Sequence, residues 1–183
     1  MLQKNNLSPL PLLVTIPVVA IIVAALALSG LAAVENWRFM RAADQVLQFV
    51  GMVRQNAAVQ KGFAVTPGED VWAALQGLGQ IIPPAARLNP WQGGLRAAVV
   101  NSRVIRIETD LPTHDCRRLA LYFIKREPQE TGLLAAEAES GGPGAAWSRF
   151  YPSSVSPDEV ADAAARACGR EADAHLALFF QIR

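Results

Sequence analysis

No ionisable side chain occurs between Lys4 and Glu35, and the stretch Leu10 to Val34 inside that gap is predominantly apolar. A helix needs about 20 such residues to cross the hydrocarbon core of a bilayer, so this segment is long enough to span a membrane. A helix buried in a soluble core is the competing reading, but Val18 to Leu28 is apolar on all sides and offers water no polar face. A cleaved secretory signal is a second competitor, since Lys4 precedes the run and Ala25-Leu26-Ala27 places small residues as a signal peptidase requires. The run outlasts a signal's apolar region of about 7 to 15 residues, which favours a retained helix. Pro9, Pro11 and Pro17 predict a weak helical start and a loosened turn near Pro17, because proline removes a backbone donor. Lys4 on one flank and Arg38 and Arg41 on the other leave the orientation undecided by charge.

From Glu35 to Gln60 the chain has no proline, and its one glycine is Gly51. Met40, Ala43, Leu47, Val50, Val53 and Ala57 recur at spacings of three and four, the pattern of an amphipathic helix. No turn signal separates Leu31 from Asn36, so both pieces are read as one helix of roughly fifty residues, ~75 Å long, stopped by Lys61-Gly62. The expected organisation is a membrane half over 1–34, an amphipathic half over 35–62 and one globular domain over 63–183. A chain of 183 residues has room for one such domain.

Within the domain, Thr66-Pro67-Gly68 opens a loop and Asp70 to Leu75 reads as a short helix with its acid near the positive N-terminus. Leu95 to Val100 and Arg103 to Thr109 flank Asn101-Ser102 as a hairpin. Thr113 or Asp115 is the expected cap of a helix through Cys116, Leu119, Ala120 and Phe123. Pro128 to Gly144, rich in Gly, Pro, Ala and Glu, is expected to be a mobile loop. Ser156-Pro157-Asp158-Glu159 reads as a capping box whose helix stops at Gly169. Ala174 to Ile182 reads as a terminal strand with Leu176, Leu178, Phe180 and Ile182 on one face.

Seventeen Lys and Arg against sixteen Asp and Glu give a net charge of +1, too little for charge-led nucleic-acid binding. Cys116 and Cys168 follow the apolar segment, which suggests a disulfide in an oxidising compartment, with two free buried thiols as the alternative. Closing that loop would stabilise the fold by about 4 kcal/mol by chain entropy. A metal site would need more ligands than these cysteines and the neighbouring His114 supply. No glycine-rich phosphate loop, His-Glu-x-x-His or Gly-x-Ser-x-Gly occurs, and Asp110, His114 and Asp115 suit helix capping better than acid–base work. No catalytic residue, metal or cofactor is assigned, and an enzyme is not expected.

Leu88-Asn89-Pro90-Trp91-Gln92-Gly93-Gly94 resembles the Asn-Pro-Trp-Gly-Gly turn that leads into the sheet of type IVb pilins. The likeness continues in order: Val53-Arg54-Gln55 at the end of the stem, the Leu-Gly-Gln-Ile-Ile-Pro run at 78 to 83, Leu111-Pro112 followed by Cys116 and Leu119, and Ala167-Cys168 before the terminal apolar strand. The resemblance implies an α+β pilin fold, a long helix packed by its distal half on an antiparallel sheet, with a Cys116–Cys168 disulfide closing the C-terminal region. It implies a structural turn at Asn89, Pro90, Trp91, Gly93 and Gly94, with Gly93 expected at positive φ. It also implies assembly with other pilin-like subunits and their pilus or secretion machinery, for which Phe39, Val46 and Phe49, off the stripe's centre, form the candidate interface. The implied location is the inner membrane, single-pass, with the domain periplasmic or on a surface pilus. In that family a charged leader precedes a glutamate and then the apolar helix, whereas here the apolar run comes first. Cutting after Gly30 would place Glu35 fifth but discard the membrane segment, so a minor or pilin-like subunit is the better match. The alternative is an anchored periplasmic binding or sensing domain that does not polymerise; an anchored hydrolase ranks third.

Overall fold

The computed structural model describes residues 9–59, 66–126, 131–140, 148–150, 157–169 and 173–182. Helix α1 (Pro9–Val59) runs for 51 residues, and its backbone is helical through Pro11 and Pro17, where a loosened start was expected. The stop anticipated at Lys61-Gly62 lies outside the described residues. The chain divides into two compact units, Met1–Arg38 and Phe39–Arg183.

In the first unit each described side chain from residue 19 to 38 is exposed, and Val19, Ile21, Leu26, Leu28 and Leu31 are 57% to 68% exposed. The hydroxyl of Ser29 donates to the carbonyl of Ala25 at 2.8 Å, so this polar group is satisfied inside the helix. The helix is long and apolar enough to cross a membrane.

The second unit is α+β. Helix α2 (Val71–Gly77) is capped by Asp70, whose carboxylate accepts from the Trp72 N–H at 3.0 Å. A 3₁₀ turn (Pro84–Arg87) leads to strands β1 (Leu95–Asn101) and β2 (Val104–Pro112), then to helix α3 (Thr113–Lys125). Strands β3 (Leu133–Ser140) and β4 (Ser148–Phe150), helix α4 (Pro157–Cys168) and strand β5 (Asp173–Gln181) complete the order. The sheet reads β1-β2-β5-β3-β4 with every pairing antiparallel, and the last strand lies between β2 and β3.

Strand alternation sorts the two faces. Leu95, Ala97 and Val99 of β1, Ile105, Ile107 and Leu111 of β2, and Leu176, Leu178 and Phe180 of β5 are buried and aligned by register. Phe123 of α3 meets Phe180 edge-to-face at 5.6 Å, which places α3 on this inner face. A disulfide joins Cys116 of α3 to Cys168 of α4 with a Cα separation of 5.9 Å, within the usual reach of such a bridge.

The buried stripe of α1 differs from the one the spacing suggested. Phe39, Ala43, Val46, Val50, Val53 and Ala57 are buried, with Phe49 beside them, while Met40 is exposed and Leu47 half-buried. The assignment of Phe39, Val46 and Phe49 to an assembly interface is therefore corrected: they are core. Phe39 meets Tyr122 edge-to-face at 5.7 Å and lies under the Arg118 guanidinium at 4.4 Å; Phe49 stacks on Trp72 at 4.2 Å. Two overlapping stripes share the small residues, and the ring contacts of Phe39 with Tyr122 and Phe49 with Trp72 hold the aromatic one inward.

Two further expectations change. Leu133 to Ser140, inside the segment expected to be a loop, is an ordered strand between β5 and β4; Leu133, Ala136 and Ala138 fill the core there despite alanine's weak strand preference. Helix α3 begins after Pro112 with no side-chain cap, and Asp115 is buried in an ion pair with Arg118 at 3.4 Å. Gly169, at φ +72, follows the last residue of α4, as the sequence indicated.

Val46→Asp and Phe49→Ala are predicted to destabilise the protein, the first by placing an unpaired charge in the core and the second by about 3–5 kcal/mol from a cavity. Chemical denaturation monitored by circular dichroism measures this; unchanged midpoints would return these side chains to the surface. Replacing both cysteines by serine is predicted to cost about 2–5 kcal/mol in the same assay.

Candidate functional site

The turn at 89–94 is organised by one side chain. Asn89 is 3% exposed. Its Oδ1 accepts from the N–H groups of Trp91 and Gly93, both at 2.9 Å. Its Nδ2 donates to the Thr109 hydroxyl at 2.9 Å and to the Asp110 carbonyl. The amide has two donors and a two-lone-pair acceptor, so its capacity is filled. Aspartate could accept but not donate to Asp110. Pro90 supplies the fixed φ that starts such a turn, and Trp91 packs partly buried against the core. The positive φ falls on Gln92, at +67°, and not on Gly93. Gly93 is needed for a different reason: a β-carbon there would overlap the carbonyl oxygen of Asp110. These bonds tie the entry to β1 to the end of β2 as a staple.

The outer face of the sheet carries charge. Asp110 holds Nδ1 of His175 with Oδ1 and lies 3.3 Å from Arg96 with Oδ2. Arg106 pairs with Glu108 at 3.1 Å, and Arg149 pairs with Glu137. The guanidiniums of Arg106 and Arg149 each lie 5.7 Å from the ring centre of Phe179, and Ala177, between Glu108 and Glu137 in register, has no exposed surface. The face thus covers itself with ion pairs over an alanine and a phenylalanine.

Sequence proximity had grouped Asp110 with His114 and Asp115. The sheet instead pairs Asp110 with His175, because β2 and β5 align at that position, and His114 is exposed. Residues 65 apart meet only through register, which alternation alone does not specify. An imidazole oriented by a carboxylate can move a proton, yet among the described residues no nucleophile is hydrogen-bonded to His175 and no group of three metal-ligating side chains occurs. Beside β1 lies an open groove of about 430 Å³, lined by Asp70, Trp72, Arg87, Arg96 and Glu108 together with apolar residues such as Leu95, which the sequence did not mark.

No family model, curated protein or solved structure matches this chain.

Gly93→Ala is predicted to destabilise the fold more than Gly77→Ala, because a β-carbon at Gly77 meets no neighbouring atom within 4 Å. Thermal unfolding of the two variants checks this, and equal melting temperatures would contradict the staple.

Proposed function

We propose that this chain is a pilin-like subunit, held in a membrane by the apolar part of α1 and assembled into a pilus or related secretion apparatus through that same helix. The observation that supports the reading is the change of burial along one continuous helix: apolar side chains are exposed from Val19 to Trp37 and buried in a stripe from Phe39 onward. Exposed apolar surface on this scale calls for lipid, another helix, or both in turn. The α+β unit with its antiparallel sheet and Cys116–Cys168 bridge agrees with what the pilin resemblance implies. The disulfide favours an oxidising compartment, which in this reading is the periplasm. With Phe39, Val46 and Phe49 in the core, the assembly surface moves to the apolar segment before them.

Membranes from cells carrying Ala32→Cys, treated with a mild oxidant, are predicted to yield covalent dimers through residue 32, while the wild type, whose two cysteines are paired, yields none. Absence of dimers there and at the adjoining positions 28 to 33 would favour the anchored domain that does not polymerise.

A further inference from the structure

Helix α3 is amphipathic and its charge is one-sided. Cys116, Leu119, Ala120 and Phe123 are buried on its inner side. Arg117, Arg118, Leu121, Tyr122, Lys125 and the following Arg126 are exposed or half-buried. The one carboxylate in the helix, Asp115, is buried and paired with Arg118. Arg117 and Lys125 have no carboxylate partner among the described residues. A chain with a net charge of +1 thus gathers several cations, with a leucine and a tyrosine between them, on the outside of one short helix.

Ring contacts fix where this face lies. The Arg118 guanidinium is 4.4 Å from the centre of the Phe39 ring, Tyr122 meets Phe39 edge-to-face at 5.7 Å, and the Arg126 guanidinium is 4.6 Å from the centre of Tyr122. Phe39 follows Trp37, the end of the exposed run that begins at Val19, by two residues. Two residues of chain span at most about 7 Å. That distance is comparable with the headgroup layer on one side of a bilayer, and it is within the ~8 to 10 Å over which charges act at ordinary salt.

We propose that the outer face of α3 rests on the bilayer surface from which α1 emerges and binds the headgroups of anionic phospholipids. This rests on α1 being the membrane anchor. Each Lys or Arg near an anionic lipid surface strengthens binding by about fivefold. Guanidiniums match phosphate oxygens with paired donors, and lysine adds a point charge. Leu121 and Tyr122 are side chains of the apolar and amphipathic kinds that settle at the headgroup boundary. A nucleic acid needs a wider basic field than this chain has, whereas the bilayer is the surface that the chain itself brings to this face.

The test uses the full-length protein in nanodiscs that contain a lipid with a spin-labelled headgroup, made of phosphatidylcholine alone or mixed with phosphatidylglycerol. Paramagnetic broadening of NMR signals reads proximity to the headgroups. The Trp37 indole is expected to broaden in both lipids, and the amides of Arg117 to Arg126 to broaden more in the anionic discs, an excess that high salt removes. Arg117→Gln combined with Lys125→Gln is expected to lower the docked-to-free ratio in anionic discs by about tenfold or more. Arg117→Lys combined with Lys125→Arg is expected to retain it. Both positions are exposed, so the signals of β5 should stay unchanged in each variant, and Arg118 and Arg126, which stack on rings, are left in place. With Trp37 broadened, equal broadening of α3 in the two lipids, or in wild type and the glutamine variant, would overturn the proposal alone and leave the face to an acidic protein. An unbroadened Trp37 would overturn the anchor and this proposal with it.

Discussion

The structure depends on burying one stripe of α1. A single sheet with helices on one face has limited apolar area, and a unit of this size gains stability largely from how completely its inner face is covered. Phe39, Val46, Phe49, Val50 and Val53 belong to the same buried cluster as Trp72, Ile107, Phe123 and Phe180. Arg54 adds a directional tie: its guanidinium donates to the carbonyls of Gln181 and Thr131 at 2.8 and 2.7 Å. Those carbonyls lie at the end of β5 and just before β3, so the helix fixes one end of this strand pair. Gly132, at φ +65, leaves room for that guanidinium.

Covalent and polar devices then hold what the helix has gathered. Helices α3 and α4 are bridged by the disulfide, and the Asn89 amide ties the chain before β1 to the end of β2. On the opposite side the sheet meets water with paired arginines and carboxylates, so its alternating residues read as one apolar and one ionic layer.

Much of this architecture was legible in the chain. The long helix, the β1–β2 hairpin, the disulfide partners and the terminal strand follow from an uncharged gap, from alternation at Ile105 to Glu108, from two cysteines and from alternation at 176 to 182. Which stripe of α1 turns inward was not, because Ala43, Val50 and Val53 belong to both candidates and only tertiary contact with Trp72 and Tyr122 selects Phe49 and Phe39. Strand β3 was hidden by its alanines and glutamates, whose local preference opposes a strand that neighbouring strands impose. The turn at 89–94 was visible as a motif, but its cause was not: the close approach of Gly93 to Asp110 is a contact between distant residues. The Asp110–His175 pair and the groove beside β1 were hidden for the same reason, since both arise from register and loop placement.

A filament subunit and a lone anchored domain share every intramolecular feature described above and differ in whether the exposed apolar residues of α1 meet lipid alone or one another. Those residues, Val19 to Trp37, are exposed, and the proposed function rests on them. The most direct measurement is electron microscopy of fibres sheared from intact cells and labelled with gold-conjugated antibody against the Phe39–Arg183 unit. Labelling along or at the tips of fibres, lost on deletion of the gene, is the predicted result. Unlabelled fibres, with the protein confined to the membrane fraction, would contradict assembly.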